Sequence, residues 1–189
     1  NDGTVNWTSG LLRSGSAGQF INNGIVNDSA SQIINNAHGG TALIFTNAAG
    51  AAYNKTAEGT TEFDINFNNH GTVNVDAGTF RLDGGGTNSA TGVFAADAGT
   101  TVLFDSSHTV ADAANLTGAG QYQLNAGTLS LTGTVTAANF KITGGTLAGT
   151  QTFTNDATWT GGVWNSAGTT TNAAGSTFVI ANASDNDFS

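Results

Sequence analysis

Cysteine, proline and methionine are absent from this chain of 189 residues, and charged residues make up only 9% of it. Without cysteine, the chain has neither a disulfide framework nor a thiolate metal site. The missing proline suits long backbone ladders, because proline has no N–H group to donate to them. No apolar run approaches the ~18 residues that a membrane-spanning helix needs. The sequence therefore excludes a small disulfide-stabilised fold and predicts no membrane insertion.

Positive charge is also scarce. Thirteen acidic residues outnumber four basic ones, and the net charge is −9. The basic residues are Arg13, Lys55, Arg81 and Lys141. A surface of this sign repels phosphate groups and anionic lipids. We therefore expect no nucleic acid partner and no anionic membrane partner.

The composition indicates a segment of a longer repetitive protein. The chain does not begin with methionine, shows no signal-peptide pattern at its start, and has the same Asn/Thr/Ala/Gly-rich composition throughout. We expect residues 1–180 to form a single solenoid segment. Residues 181–189, ANASDNDFS, are acidic and lose the alternation of apolar residues. They are expected to be a linker or the truncated start of the next coil.

What the chain does contain is one short phrase that recurs. GTVNVDAGTFRLDG over 71–84 and GQYQLNAGTLSLTG over 120–133 match glycine for glycine and apolar for apolar, at a spacing of 49. Each copy predicts two short strands joined by a corner of small residues. Such a unit cannot bury its apolar side alone, so it becomes stable only when copies stack.

Apolar and polar residues alternate in the strand signals, as expected for strands with one buried face. The clearest signal is TEFDINFN over 61–68, where Phe63, Ile65 and Phe67 share a face. Shorter signals pair Val73 with Val75, Phe80 with Leu82, Tyr122 with Leu124, Leu129 with Leu131, Phe140 with Ile142, and Phe178 with Ile180. We predict that these side chains line the core. No segment shows helical spacing over three turns.

Ala-Gly pairs mark the predicted corners. Glycine is favoured where a tight bend requires positive φ, and alanine fits where stacked corners crowd. The predicted corner glycines are Gly50, Gly78, Gly99, Gly127, Gly149, Gly168 and Gly175. Strands of about three residues are too short for an ordinary sandwich, whose strands run ~5–6 residues. We therefore predict an all-β parallel β-helix, a solenoid of about eight coils. A β-sandwich or meander of short strands is the alternative.

The segments GTVNVDAGTFRLDGGG, NAGTLSLTG and FKITGGTLAG carry a resemblance to a known class of protein. The chain resembles the β-helical stalks of large secreted bacterial surface proteins, namely autotransporter passengers and two-partner-secretion exoproteins of the filamentous-haemagglutinin type. The similarity is one of style and covers the whole chain. It implies an elongated, secreted, adhesive or structural rod.

Two groups of residues invite a catalytic interpretation. Glu62 and Asp64 face the same side about 7 Å apart, near the separation of paired glycosidase carboxylates. Acids at this spacing also simply decorate a solvated strand face, and no basic residue lies nearby in sequence to tune their pKa values. Residues 105–108, DSSH, place acid, hydroxyl and base side by side, but the elbow that presents a catalytic serine is missing. A polar corner is expected there.

Metal sites are not expected either. His38 and His70 each precede glycine in turn-like stretches, Gly84–Gly86 predicts a loop, and Asp185–Asp187 lacks the rest of a calcium loop. We predict no catalytic residues, no cofactor-binding residues and no cofactor, and we expect the chain not to be an enzyme.

Tryptophan and threonine offer binding alternatives. If Trp7, Trp159 and Trp164 are exposed, they could stack on sugar rings, although Trp164 could instead cap the core. Threonines alternate in several segments, and a flat threonine array is one way for a solenoid to order surface water. Threonine is also simply a good strand former. Threonines that share a face form one group of three, Thr132, Thr134 and Thr136, and three pairs, Thr152 with Thr154, Thr158 with Thr160, and Thr169 with Thr171. The sequence spacings argue against a regular register. Four asparagines, Asn68, Asn69, Asn155 and Asn172, are candidates for side-chain ladders.

The function expected from these observations is a non-catalytic structural or adhesive segment of a secreted bacterial cell-surface protein. It would serve as a rod, stalk or extracellular filament and contact neighbouring segments by strand stacking. Carbohydrate or a host matrix surface is a further possible partner. A polysaccharide-active β-helix enzyme and an ice- or carbohydrate-binding module are the alternatives.

Overall fold

The computed structural model describes residues 1–164, 168–181 and 187–188. It confirms the predicted parallel β-solenoid, with about eight turns. The sandwich alternative is wrong, because every strand pairing in these residues is parallel and joins one coil to the next. Helical structure within the same ranges is limited to a 3₁₀ turn at Ala113–Asn115.

The described residues contain 25 strands, β1 to β25 along the chain, arranged in three sheets. Sheet A contains β1 (Thr4–Trp7), β4 (Ile25–Asp28), β7 (Ala52–Lys55), β10 (Thr72–Val75), β13 (Val93–Ala96) and β16 (Leu116–Gly118). Sheet B contains β2 (Leu12–Arg13), β5 (Ile33–Asn35), β8 (Thr60–Phe63), β11 (Thr79–Leu82), β14 (Thr101–Phe104), β17 (Gln121–Leu124), β19 (Asn139–Ile142), β21 (Ala157–Trp159) and β24 (Phe178–Ile180).

Sheet C contains β3 (Gln19–Asn22), β6 (Ile44–Asn47), β9 (Asn66–Asn69), β12 (Gly86–Asn88), β15 (His108–Val110), β18 (Thr128–Val135), β20 (Thr146–Phe153), β22 (Val163–Trp164) and β25 (Asp187–Phe188). The remaining strand, β23 (Thr170–Asn172), pairs with the second half of β20. Through β18 the chain visits sheets A, B and C in turn, so three successive strands make one coil.

The predicted core residues line the interior with one exception. Val73, Val75, Phe80, Leu82, Tyr122, Leu124, Leu129 and Leu131 are fully buried, and Phe140 and Ile142 nearly so. Ile180 is instead 50% exposed, so its prediction as a core residue is wrong. It lies on β24, which is the last strand of sheet B among the described residues.

The segment 61–68 is two strands, not the single strand that its alternation predicts. β8 ends at Phe63 and β9 begins at Asn66, so the chain turns a corner at Asp64 and Ile65. Gly84 of the next coil packs directly on this corner, because a Cβ at Gly84 would lie 2.2 Å from the carbonyl carbon of Ile65. Phe63, Ile65 and Phe67 are nevertheless all buried, since they enter the same core from two sheets.

The corner glycines are mostly where the sequence predicts them. Positive φ angles occur at Gly50, Gly78, Gly99, Gly127 and Gly175. Gly149 also has a positive φ, of 99°, but it lies inside β20 rather than at a corner. A Cβ at Gly168 would meet the Thr150 hydroxyl at 2.0 Å, so close packing explains this glycine.

The two copies of the repeated phrase occupy different corners. Residues 71–84 join β10 of sheet A to β11 of sheet B, whereas residues 120–133 join β17 of sheet B to β18 of sheet C. The sequence repeat therefore describes a strand–corner–strand unit and not a whole coil. Its spacing of 49 covers two coils and one further side.

Candidate interaction surfaces

A charged cluster lies on the outer face of sheet B. Arg81 on β11 is the register partner of Glu62 on β8, and its Nη1 lies 2.7 Å from Glu62 Oε2. Its Nη2 lies 2.6 Å from Asp105 Oδ2 and 3.4 Å from Asp83 Oδ2. Burial alone would lower the pKa of Arg81, but its bonds and charges with Asp105 and Glu62 raise that pKa overall. Arg81 thus neutralises part of a strongly acidic surface.

This cluster supplies the basic residue that Glu62 lacks nearby in the sequence. Arg81 is 19 residues away in sequence, which is one coil, so stacking places it directly beside Glu62. The Arg81 guanidinium occupies Glu62 Oε2, so this oxygen is engaged within the cluster. Asp64 lies beyond the end of β8 and is exposed. The geometry does not favour these two acids as a catalytic pair.

The cluster continues as a ladder of polar side chains along sheet B. Asn125 Nδ2 donates to Asp105 Oδ1 at 2.7 Å, and Thr143 Oγ1 donates to Asn125 Oδ1 at 3.1 Å. Together with Glu62 and Arg81, these residues link five successive coils. The ladder explains how a surface with few charges is held in order.

His108 is part of the core, so the expected polar corner at 105–108 is wrong at its last residue. The side chain is only 2% exposed, and neither ring nitrogen has a hydrogen-bond partner. Its ring lies 5.4 Å from that of Phe104 and 6.3 Å from that of Phe94. Burial lowers the pKa of His108 to about 3. Asp105 instead belongs to the outer ladder, so the elements of a triad are not assembled.

The tryptophans do not form an exposed stacking platform. Trp7 and Trp159 are buried, and their indole N–H groups donate to the carbonyls of Gly10 and Gly161. The hypothesis that they stack on sugars is therefore wrong. Trp164 is half-buried with its ring 5.4 Å from that of Trp159, in agreement with the alternative that it caps the core.

Two asparagine ladders run in parallel, one inside the solenoid and one outside. The inner ladder consists of Asn22, Asn47, Asn69 and Asn88, all buried. The outer ladder consists of Asn6, Asn27, Asn54 and Asn74. Amide-to-amide distances are 2.7–2.9 Å in the inner ladder and 2.8–2.9 Å in the outer one.

Among the four asparagines predicted to form ladders, only Asn69 belongs to one of these two. Asn68 accepts from the Thr87 hydroxyl, and Asn155 and Asn172 donate to backbone carbonyls. The sequence signal for the inner ladder is the position of each member at the end of a sheet C strand, where the side chain points inward.

A buried pair of opposite charges escaped prediction. Asp28 and Lys55 are fully buried register partners on β4 and β7. Asp28 accepts hydrogen bonds from the hydroxyls of Tyr53 and Thr61, and Lys55 donates to Ser31 Oγ at 3.0 Å. Burial lowers the pKa of Lys55. Alternation was the available signal, because Tyr53 and Lys55 share the inward side of β7.

Six threonines form a regular array, the threonine face, on the outside of β18, β20 and β23. Thr134 pairs with Thr152, which pairs with Thr171, so three coils contribute to one ladder. Thr132 pairs with Thr150. In the next coil, the backbone N–H of Thr169 donates to the Thr150 hydroxyl, with an N–O distance of 3.4 Å. The expectation of irregular register is wrong here, because the three segments align in successive coils.

The first coil leaves the core partly open. Two apolar cavities of about 220 and 240 Å³ lie there, and Leu12, Phe20, Ile34 and Phe45 line both. Strands β1, β2 and β3 are the first in their sheets, so each has a strand neighbour on one side only. This end presents apolar side chains beside strand edges. Part of the β3 edge is capped, since the Asn1 ammonium donates to the Ile21 carbonyl at 2.8 Å.

The remaining candidate residues do not converge. His38 is exposed, and no cluster of three or more His, Asp or Glu side chains suited to a metal occurs in residues 1–164 and 168–181. Gly84–Gly86 leads into β12, and a Cβ at Gly86 would collide with the Phe67 carbonyl oxygen. Asp185 and Asn186 lie outside the described residues. In the described part of the chain, no helix is long and apolar enough to span a membrane.

Comparison with known proteins does not assign the chain to a family. No family model matches the chain, and no match was found among curated proteins or solved structures.

Proposed function

We propose that this chain is a non-catalytic structural or adhesive segment of a secreted bacterial cell-surface protein, acting as a rod, stalk or extracellular filament. The observation that carries the proposal is the uninterrupted stacking of parallel coils along the described residues, in which every strand pairing is parallel. A solenoid of this kind can be extended by adding coils, because each coil contacts only its neighbours. Neighbouring segments or subunits would continue the stack through strand pairing.

The outer surface supports a passive role. Arg81 forms ion pairs with Glu62, Asp83 and Asp105. The ring nitrogens of the buried His108 have no hydrogen-bond partner. These acids and this base therefore have structural roles. The cysteine-free, lysine-poor composition also fits an extracellular bacterial protein.

An adhesive contact has a specific candidate location. Two adjoining polar hollows of about 360 and 300 Å³ lie on sheet B and share Gln121 and Asn139. Amide and hydroxyl groups of this kind bind uncharged polar polymers, including carbohydrate. Lys141 and Asp156 border the larger hollow, which gives it both signs of charge.

Shape and location test the proposal together. We expect small-angle X-ray scattering and negative-stain electron microscopy of the purified chain to show rods. Immunogold labelling of intact cells should place the protein outside. Discrete globules that release sugars from polysaccharide, or a protein found only inside cells, would contradict it.

The open end provides a sharper arm of the same experiment. If subunits stack through it, rod length rises with protein concentration. Phe20→Asp puts a charge in the opening and should abolish this growth, whereas Ile21→Asp, on the same strand but 45% exposed, should preserve it. Circular dichroism verifies that both variants are folded. Equal growth of both variants would show that the open end is not the joint.

A further inference from the structure

The threonine face is an array of identical side chains aligned across three successive coils. Each of its three segments has the pattern Thr-x-Thr, at 132–134, 150–152 and 169–171. Neighbouring strands lie about 4.8 Å apart and alternate residues on a strand about 6.7 Å apart. Hydroxyl and methyl groups therefore repeat from coil to coil and along the strands, with a change of backbone direction at Gly133, whose φ is 93°.

The hydroxyl groups of this face are available to solvent. Thr132, Thr134, Thr150, Thr169 and Thr171 are exposed, and Thr152 at the centre is half-buried. Thr150 Oγ1 accepts a long bond from the Thr169 N–H. The other hydroxyls of the array face outward from their strands, where water can bind them.

Charge defines what this face can bind. The protein carries a net charge of −9, yet the six side chains of the array are uncharged. The nearest acid is Asp112, whose Oδ1 would lie 3.2 Å from a Cβ at Gly133 and so borders the array at its first segment. A neutral lattice offers nothing to a charged partner, but it matches an uncharged surface with a periodic arrangement of hydrogen-bonding oxygens. Hexagonal ice presents oxygens at repeats close to both spacings of the array, and the methyl groups favour an ordered layer of water between the two surfaces.

We propose that the threonine face binds ice through a layer of ordered water. The central residue is Thr152, which has Thr134 and Thr171 as its neighbours along the ladder. This activity goes beyond the proposed rod function and does not depend on it, since the face occupies one side of three coils whatever the solenoid connects.

The chain contains its own control surface. Thr60, Thr79 and Thr101 also form an in-register threonine ladder, on sheet B. That ladder is a single column, however, and the adjacent outward column contains Glu62 and Arg81. A threonine replaced there changes the same chemistry without touching the neutral two-column lattice.

Incorporation into ice is the decisive measurement. The chain has no cysteine, so Thr8→Cys, exposed in the first coil, gives a single site for a fluorescent label far from the array. We expect the labelled protein to be enriched in a slowly growing ice hemisphere. Adding Thr152→Tyr should reduce its enrichment to that of a non-binding protein, whereas Thr101→Tyr should leave it unchanged.

Each outcome decides the proposal. Exclusion of the parent protein from ice, unchanged enrichment of the Thr152→Tyr variant, or equal loss with Thr101→Tyr would overturn it. Thermal unfolding verifies the fold of each variant. If Thr152→Tyr does not fold, Thr171→Tyr at the exposed end of the ladder carries the same expectation. Failure here leaves the rod proposal intact, because scattering and cell labelling test that separately.

Discussion

At the scale of single residues, His108 shows how position overrides side-chain chemistry. It begins β15, where residues 108 and 110 point inward and Thr109 points outward. Its register partner in the next coil is Leu129, a core residue. The imidazole therefore takes the place of an apolar side chain, and both ring nitrogens remain without partners.

Acid should destabilise the protein through His108. Its folded pKa is about 3 against an ordinary value of 6.5, so in this interval the unfolded chain binds a proton that the folded chain does not. The free energy of unfolding should therefore fall as pH decreases from 6.5 towards 3, by up to about 1.4 kcal/mol per pH unit, with no contribution from His108 above 6.5. Denaturant titrations across this interval measure the slope.

The His108→Leu variant should lose this part of the slope, because leucine has no proton to bind. His38→Gln is the control, since His38 is exposed and its replacement should keep the slope of the parent protein. Identical slopes for the parent and His108→Leu would show that the buried histidine is not the acid-sensitive group.

At the scale of elements, the two asparagine ladders form similar amide-to-amide hydrogen bonds but differ in how deeply they are buried. Asn47 in the inner ladder accepts from Asn22 and donates to Asn69 and to the Thr72 carbonyl. Asn54 in the outer ladder has the same two amide contacts, with Asn74 and Asn27, at the surface. Only in the inner ladder can water not replace a lost partner.

Replacing one member of each ladder tests this difference. Asn47→Leu leaves the buried Asn69 Oδ1 without its donor and should lower the free energy of unfolding by about 2–4 kcal/mol. Asn54→Leu should cost less than about 1 kcal/mol, because water can reach the partners Asn27 and Asn74, which are only half-buried. Urea unfolding of both variants gives the comparison. Equal losses would mean that the inner ladder contributes no more than the outer one.

At the scale of the whole molecule, stability is expected to vary along the stack. The middle coils are packed with fully buried aromatic rings, including Tyr53, Phe63, Phe67, Phe80 and Phe94. The first coil has apolar cavities and strands with a strand neighbour on one side only. In a stack of repeats, opening begins where a coil has lost a neighbour.

Hydrogen exchange followed by mass spectrometry should reveal this gradient in the 189-residue chain. Peptides covering β1, β2 and β3 should exchange faster than peptides covering β10, β11 and β12, because the first coil opens without disrupting the rest. Measurements at one pH and temperature provide the internal control. Uniform protection from the first coil to the middle would show instead that the solenoid opens as one cooperative unit.

Much of the architecture could be predicted because alternation and corner glycines are local signals. Val73, Phe80 and Leu129 are buried as predicted, and strands this short have few other ways to bury one face. The same local signals predicted a single strand over 61–68, because alternate side chains continue to point into the core on both sides of a corner. It also missed Arg81 beside Glu62, because their contact depends on the length of one coil.

The sequence by itself showed short strands with one buried face and favoured a parallel solenoid, because strands of about three residues are too short for an ordinary sandwich. The tertiary structure excluded the sandwich. Only the tertiary structure decided which residues meet between coils. Coil lengths vary, and a change of one or two residues at a corner moves every later neighbour. Register therefore brought Thr134, Thr152 and Thr171 into one ladder and made Asp28 and Lys55 buried partners.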